Sequence, residues 1–92
     1  MTNGRKPWFV YLVRCRDGSI YAGITDDINA RIKKHNSGKG ATYTAQRRPV
    51  TLLFSEPHPD QSSARRREIQ LKGWTREKKE QLIAGFPRPH SG

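Results

Sequence analysis

Residues 8–13 (WFVYLV) form an unbroken apolar run rich in aromatic and β-branched side chains. Such a run fits a strand covered on both faces, and therefore a central one. Arg16-Asp17-Gly18 is a turn signal and residues 19–24 read as a second short strand, so residues 8–24 make a β-hairpin. Two registers compete. A two-residue turn at Asp17-Gly18 pairs Arg14 with Tyr21 and sends Tyr11 and Tyr21 to opposite faces. A three-residue loop, with Gly18 left-handed in a bulge, pairs Val13 with Tyr21 and sets both tyrosines on one face as diagonal neighbours. The second is preferred, because glycine suits the bulge whereas the shorter turn asks Asp17 for a positive φ.

Helical periodicity follows. Asp26 or Asp27 can cap a helix that runs to about Asn36, where Asn36-Ser37-Gly38 stops it. Ile28 and Ile32 give this helix a narrow apolar stripe, with Arg31 and His35 side by side along one edge. Residues 37–49 (SGKGATYTAQRRP) read as a loop, and residues 50–55 as a third strand closed by Pro57 and Pro59. Asp60 caps a helix to about Lys72, in which Ala64, Glu68 and Leu71 fall at i, i+4 and i+7. Glu68 therefore lies on the buried stripe while Arg65, Arg66 and Lys72 spread over the other faces. Gly73 ends that helix, Thr75 caps a last one and Gly85 ends it; the tail FPRPHSG, with two prolines, is expected to fray. The expected class is α+β, a small three-stranded antiparallel sheet flanked by helices, in a single domain over residues 1–92 with its core at about 7–84.

Composition narrows the partners. With 18 Lys+Arg against 8 Asp+Glu the chain carries +10, which points to a polyanion: DNA, RNA or, less strongly, an anionic membrane surface. No apolar run approaches the ~18 residues of a membrane span. The polar stretch 1–6 and the short run after it supply no signal-peptide core, and the single Cys15 excludes an internal disulfide and a multi-cysteine zinc site. A reduced, cytoplasmic protein is expected.

Five residues suggest chemistry. Cutting a phosphodiester needs an activated nucleophile, charge for the transition state and usually a metal ion. Glu68 suits a hard cation such as Mg2+ or Mn2+, since one carboxylate suffices where substrate phosphate supplies further oxygen; the plain alternative is an ion pair with Arg65, Arg67 or Lys72. Arg31 can offer a planar fork to phosphate, or be a solvated helix arginine. His35 can relay a proton or hydrogen-bond a tyrosine, or serve structure only. Tyr11 and Tyr21 start near a pKa of ~10 and need nearby positive charge to act as bases; otherwise they are half-buried strand tyrosines. Trp74 is assigned to packing. Arg47, Arg48, Arg65 and Arg66 form the phosphate-tracking surface, with Lys39 and the aromatic Tyr43 beside them.

In order and spacing these residues resemble the GIY-YIG nuclease domain. Val10-Tyr11-Leu12 stands where that family's first triplet stands, and Tyr21-Ala22-Gly23 where the second does, ten residues on. The run from Tyr21 through Arg31 to Asn36 resembles the family's arginine-bearing helix, and Glu68 matches its metal-binding glutamate. Val10, Leu12 and Ala22 depart from the triplets but stay small or apolar. The resemblance covers roughly residues 7–84 and is to the small stand-alone bacterial members.

What the resemblance implies is a three-stranded sheet with helices, one divalent metal (Mg2+ or Mn2+) on Glu68, Tyr11 or Tyr21 assisting the attacking water, and Arg31 on the phosphate. Tyr43 is carried onto the same surface, and Gly23 is expected to leave the end of the second strand open to backbone or substrate approach. The implied activity is a metal-dependent endonuclease on DNA, with damaged, branched or single-stranded forms in repair or recombination as candidates. Specificity would come from the basic surface or from a protein partner. The alternative is a non-catalytic DNA- or RNA-binding module on the same fold.

Overall fold

The computed structural model describes residues 6–86; the polar start and, from residue 87, the proline-bearing tail lie outside them. Three strands, β1 (Trp8–Arg14), β2 (Ile20–Thr25) and β3 (Thr51–His58), form one antiparallel sheet in the order β2-β1-β3. The apolar run is thus central, and Val10, Tyr11, Leu12 and Val13 are all fully buried. Among the described residues four helices accompany it: α1 (Ile28–Asn36), α2 (Thr42–Ala45), α3 (Gln61–Lys72) and α4 (Arg76–Ala84). None of the described helices is long and apolar enough to cross a membrane.

The hairpin takes the longer loop. Val13 pairs with Tyr21 and Tyr11 with Gly23. Gly18 donates its amide to the Cys15 carbonyl at 2.9 Å, Cys15 donates to the Ser19 carbonyl at 2.8 Å, and Gly18 has φ +89°. That is a turn followed by a left-handed glycine bulge. Because side chains alternate, one face of the sheet collects Tyr11, Val13, Cys15 and Val50 with Tyr21, Ile28 and Ile32 packed against them. The other collects Val10, Leu12, Ala22, Leu53, Phe54, Leu71 and Ile83.

The helix caps follow the local chemistry. Asp27, Asp60 and Thr75 accept backbone amides from Ala30, Ser63 and Lys78 respectively. Two expectations need correction. The loop at 37–49 contains the short helix α2, which no apolar period marks and whose Thr44 hydroxyl bonds His35 and the Ala41 carbonyl. The third strand runs on to His58 through Pro57, because β3 is an edge strand and a proline there need give up no ladder hydrogen bond.

Candidate active site

One cleft gathers Tyr11, Tyr21, Arg31 and Glu68, with Gly23 beneath and Trp8, Gln61 and Arg65 along its walls. Two strands, the helix after them and α3 therefore each deliver one of the expected groups. The hairpin register is what permits it, since the shorter turn would have turned Tyr21 away.

His35, four residues beyond Arg31 on α1, is fully buried behind Tyr11 and hydrogen-bonds that tyrosine. Its Nε2 lies 2.8 Å from the Tyr11 hydroxyl and its Nδ1 2.7 Å from Thr44 Oγ1. The Thr44 hydroxyl donates to the Ala41 carbonyl at 3.0 Å. With that proton on the carbonyl, Thr44 would accept from Nδ1–H, and the tautomer this selects has Nε2 accepting the proton of Tyr11. Arg31 Nε donates to the same tyrosine oxygen at 3.3 Å. Burial pushes the Tyr11 phenol up, and the Arg31 hydrogen bond opposes it. Burial and the Arg31 charge both hold His35 below the ordinary imidazole value. Thr44 and α2 were invisible to the sequence reading; the only signal was Gly40, where a β-carbon would fall 2.9 Å from His35 Cα.

A pH dependence of stability follows. The unfolded chain protonates His35 near 6.5 while the folded chain resists. More protons are then bound by the unfolded state, so stability is full above about 6.5 and declines as pH falls from there, by at most about 1.4 kcal/mol per pH unit for this group. A urea midpoint that drops between pH 7.5 and 5.5, with an imidazole NMR titration of His35 centred below about 6.5, is the expected result. A His35 titration at or above that value would sink it.

Gly23 lines the cleft, and what approaches its backbone most closely is the ring of Tyr11. A β-carbon there would sit 2.6 Å from Tyr11 Cζ and closer still to the hydroxyl. The glycine makes room for the cross-strand tyrosine. Gly23→Ala is therefore expected to cost about 1–3 kcal/mol of stability by overpacking and to pull the Tyr11 hydroxyl off His35. Denaturant unfolding checks the first, and a normal His35 tautomer signature by NMR would refute the second.

Tyr21 is half-buried and its hydroxyl has no protein hydrogen-bond partner among the described residues. Its ring meets His35 edge-on at 5.7 Å and stacks on Tyr43 at 5.7 Å and 23°. Arg47 caps that stack, 3.8 Å above the Tyr43 ring, donating to the Tyr43 carbonyl at 2.9 Å and to Asp17 Oδ2 at 3.0 Å. Bonds from the Ser19 hydroxyl and amide, then Arg47, hold the Asp17 carboxyl below its usual range. Arg47 thus ties the 37–49 segment to the hairpin and onto Tyr21. Lys39, Arg48, Arg65 and Arg66 are exposed, as a phosphate-tracking surface requires.

Glu68 is 8% exposed and pairs with Arg65 at 3.8 Å and Lys72 at 3.3 Å. Arg67 does not join them: it binds Glu56 at 3.1 Å and lies over Trp74, which packs against the core. Among the described residues no three His, Cys, Asp or Glu side chains gather as a metal cage.

The model of the GIY-YIG catalytic domain matches residues 7–81. The chain is 52% identical over 75 residues to a UPF0213 protein of Staphylococcus aureus strain Mu3, spanning 82% of this chain and 92% of that one. It is similar to the solution structure of the UPF0213 protein BH0048 from Bacillus halodurans, at 46% identity, TM-score 0.55 and coverage of 85% and 83% of the two chains. The solution structure of EF2693 from E. faecalis aligns with 99% of each chain at 37% identity and TM-score 0.61. With its triplets on paired strands, its arginine on the following helix and its glutamate on α3, the chain belongs to the GIY-YIG family.

Proposed function

We propose that the protein is a metal-dependent endonuclease that hydrolyses phosphodiester bonds in DNA, working in the cytoplasm as a single domain. The observation that carries this reading is the 2.8 Å hydrogen bond between the buried His35 and Tyr11, which lines a cleft that also holds Arg31 and Glu68. A structural tyrosine needs only a satisfied hydroxyl. A tyrosine whose proton has a bare imidazole nitrogen to move to can relay one.

The proton path resolves a difficulty in using tyrosine as a base. With its phenol pushed up by burial, Tyr11 is a poor source of free tyrosinate. It need not form one: an attacking water can pass its proton to the Tyr11 oxygen as the Tyr11 proton moves to His35 Nε2. Arg31 Nε covers the hydroxyl, and its terminal nitrogens, which have no hydrogen-bond partner among the described residues, can fork onto phosphate. Turning toward the phosphate, it uncovers the oxygen. Tyr21 offers its unpartnered hydroxyl to phosphate or to the water.

Glu68 suits Mg2+ or Mn2+, hard cations that accept one carboxylate when substrate phosphate and water complete the shell. Such a cation supplies positive charge to the crowded transition state. Among the described residues the cleft offers no imidazole or thiolate of the kind zinc favours, whereas a lone carboxylate suits a hard cation. Lys39, Tyr43, Arg48, Arg65 and Arg66 hold the flanking strand, and a protein partner is open to supply specificity.

A cleavage panel tests this. Linear, flapped, forked, four-way and single-stranded DNA, together with RNA, are incubated with Mg2+ or Mn2+ and either the wild type or Glu68→Ala. Nicking of at least one DNA by the wild type alone supports the reading, and a branched or damaged preference would fit repair or recombination. Cutting by Glu68→Ala equal to wild type overturns the site assignment. The pairing of Glu68 with two cations favours a second reading, a binding module in which Glu68 is a structural ion pair. Its mark would be wild-type affinity for DNA in Glu68→Ala, with and without metal, and no cutting.

A further inference from the structure

α3 presents Gln61, Arg65, Glu68 and Lys72 at i, i+4, i+7 and i+11, a single stripe along the helix. Gln61, Arg65 and Glu68 line the cleft, and Lys72 stands 5.6 Å from the Tyr21 ring. The three charged members differ sharply in exposure. The Glu68 side chain is 10% exposed, Arg65 58% and Lys72 51%. A nearly buried carboxylate needs a counter-charge, whereas two long, half-solvated cations lose little by swinging away.

Those cations also obstruct the site. A divalent ion on Glu68 would have two positive charges as close neighbours, and both would be drawn to phosphate instead. Arg65 and Lys72 are seven residues apart, about 10 Å along the helix with Glu68 between them. A duplex advances about 3.4 Å per nucleotide of one strand. Long side chains at the ends of that span reach phosphates on either side of one seated at Glu68.

We propose that Arg65 and Lys72 are exchangeable counter-ions: they neutralise Glu68 and transfer to the phosphates flanking the scissile one when metal and nucleic acid enter. Metal and nucleic acid then bind with positive coupling, each raising affinity for the other. Neither ligand is held well alone. The proposal rests on the nuclease reading of the cleft and gives its two flanking cations a positioning role.

The test is binding of the full chain to a fluorescein-labelled DNA duplex, read by anisotropy across a salt series. It is run with EDTA or with Ca2+ at matched ionic strength, for wild type, Glu68→Gln and Arg65→Gln/Lys72→Gln. Two newly engaged phosphates steepen the slope of log affinity against log salt by about 1.8. Wild type is expected to show that steepening on adding Ca2+, Glu68→Gln to be steep already in EDTA, and the double variant to be equally shallow in both. In parallel, Mn2+ titrated into DNA-free protein, followed by paramagnetic broadening of α3 amides, is expected to bind the double variant at least about 5-fold more tightly than wild type, relieved of two repelling charges. Equal wild-type slopes with and without Ca2+, or unchanged Mn2+ affinity in the double variant, overturns the exchange. A protein that cuts DNA while failing these tests loses this inference alone. One that passes them and cuts nothing loses the nuclease reading alone.

Discussion

Glu68→Gln is expected to reduce DNA nicking at least about 10³-fold, equivalent to about 4 kcal/mol of transition-state stabilisation, while leaving the fold intact. The substitution keeps the shape of the side chain and removes the charge that would hold a metal ion. Its cost to stability is expected to stay below about 1 kcal/mol, because Arg65 and Lys72 are more than half exposed and return to water when their partner is neutralised. Affinity for DNA without metal should rise, since an acid in the cleft no longer repels phosphate. Single-turnover nicking, urea unfolding and anisotropy read the three effects separately. A glutamine variant that cuts at more than a tenth of the wild-type rate would refute the metal assignment.

Tyr11→Phe is the second large effect. Deleting the hydroxyl breaks the path from water to His35, for which a loss of about 10²–10⁴-fold in single-turnover rate is expected. His35 Nε2 is then left without its donor, at a cost of about 1–3 kcal/mol, and DNA affinity stays within about twofold. Tyr21→Phe keeps the Tyr11–His35 bond and is expected to lose less. A larger loss in Tyr21→Phe than in Tyr11→Phe would move the relay to the other tyrosine.

How far the chain could be read beforehand depended on whether the signal was local. The caps Asp27, Asp60 and Thr75, the glycine bulge at Gly18 and the stripe of Ala64, Glu68 and Leu71 each follow from a few neighbouring residues, and each is found. The hairpin register alone put Tyr11 and Tyr21 on a common face. The misses share a different character. α2 has no apolar stripe of its own, and what fixes it to the rest is Thr44 meeting a histidine nine residues away. Pro57 breaks strands in general, but whether it breaks one here turned on β3 having only one neighbour. The tie from Arg47 to Asp17, thirty residues earlier, is likewise a long-range contact that no local signal marks. Glu68 was placed correctly on its helix, and both the cleft and the ion pairs foreseen as rivals turn out to be present together.

The position of Tyr11 on the one strand with a neighbour at each side divides the site by entropy. Its backbone is laddered to β2 and β3, its ring lies over Gly23 and its hydroxyl is held by His35 and Arg31. Ordering it for chemistry was completed when the sheet formed, so little freedom remains to be lost as substrate arrives. The long cations on α3 still have theirs. DNA of different shape or phosphate spacing will be gripped with different strength by those side chains and yet meet the same proton path. Substrate preference can drift at the rim while the relay beneath it stays unchanged.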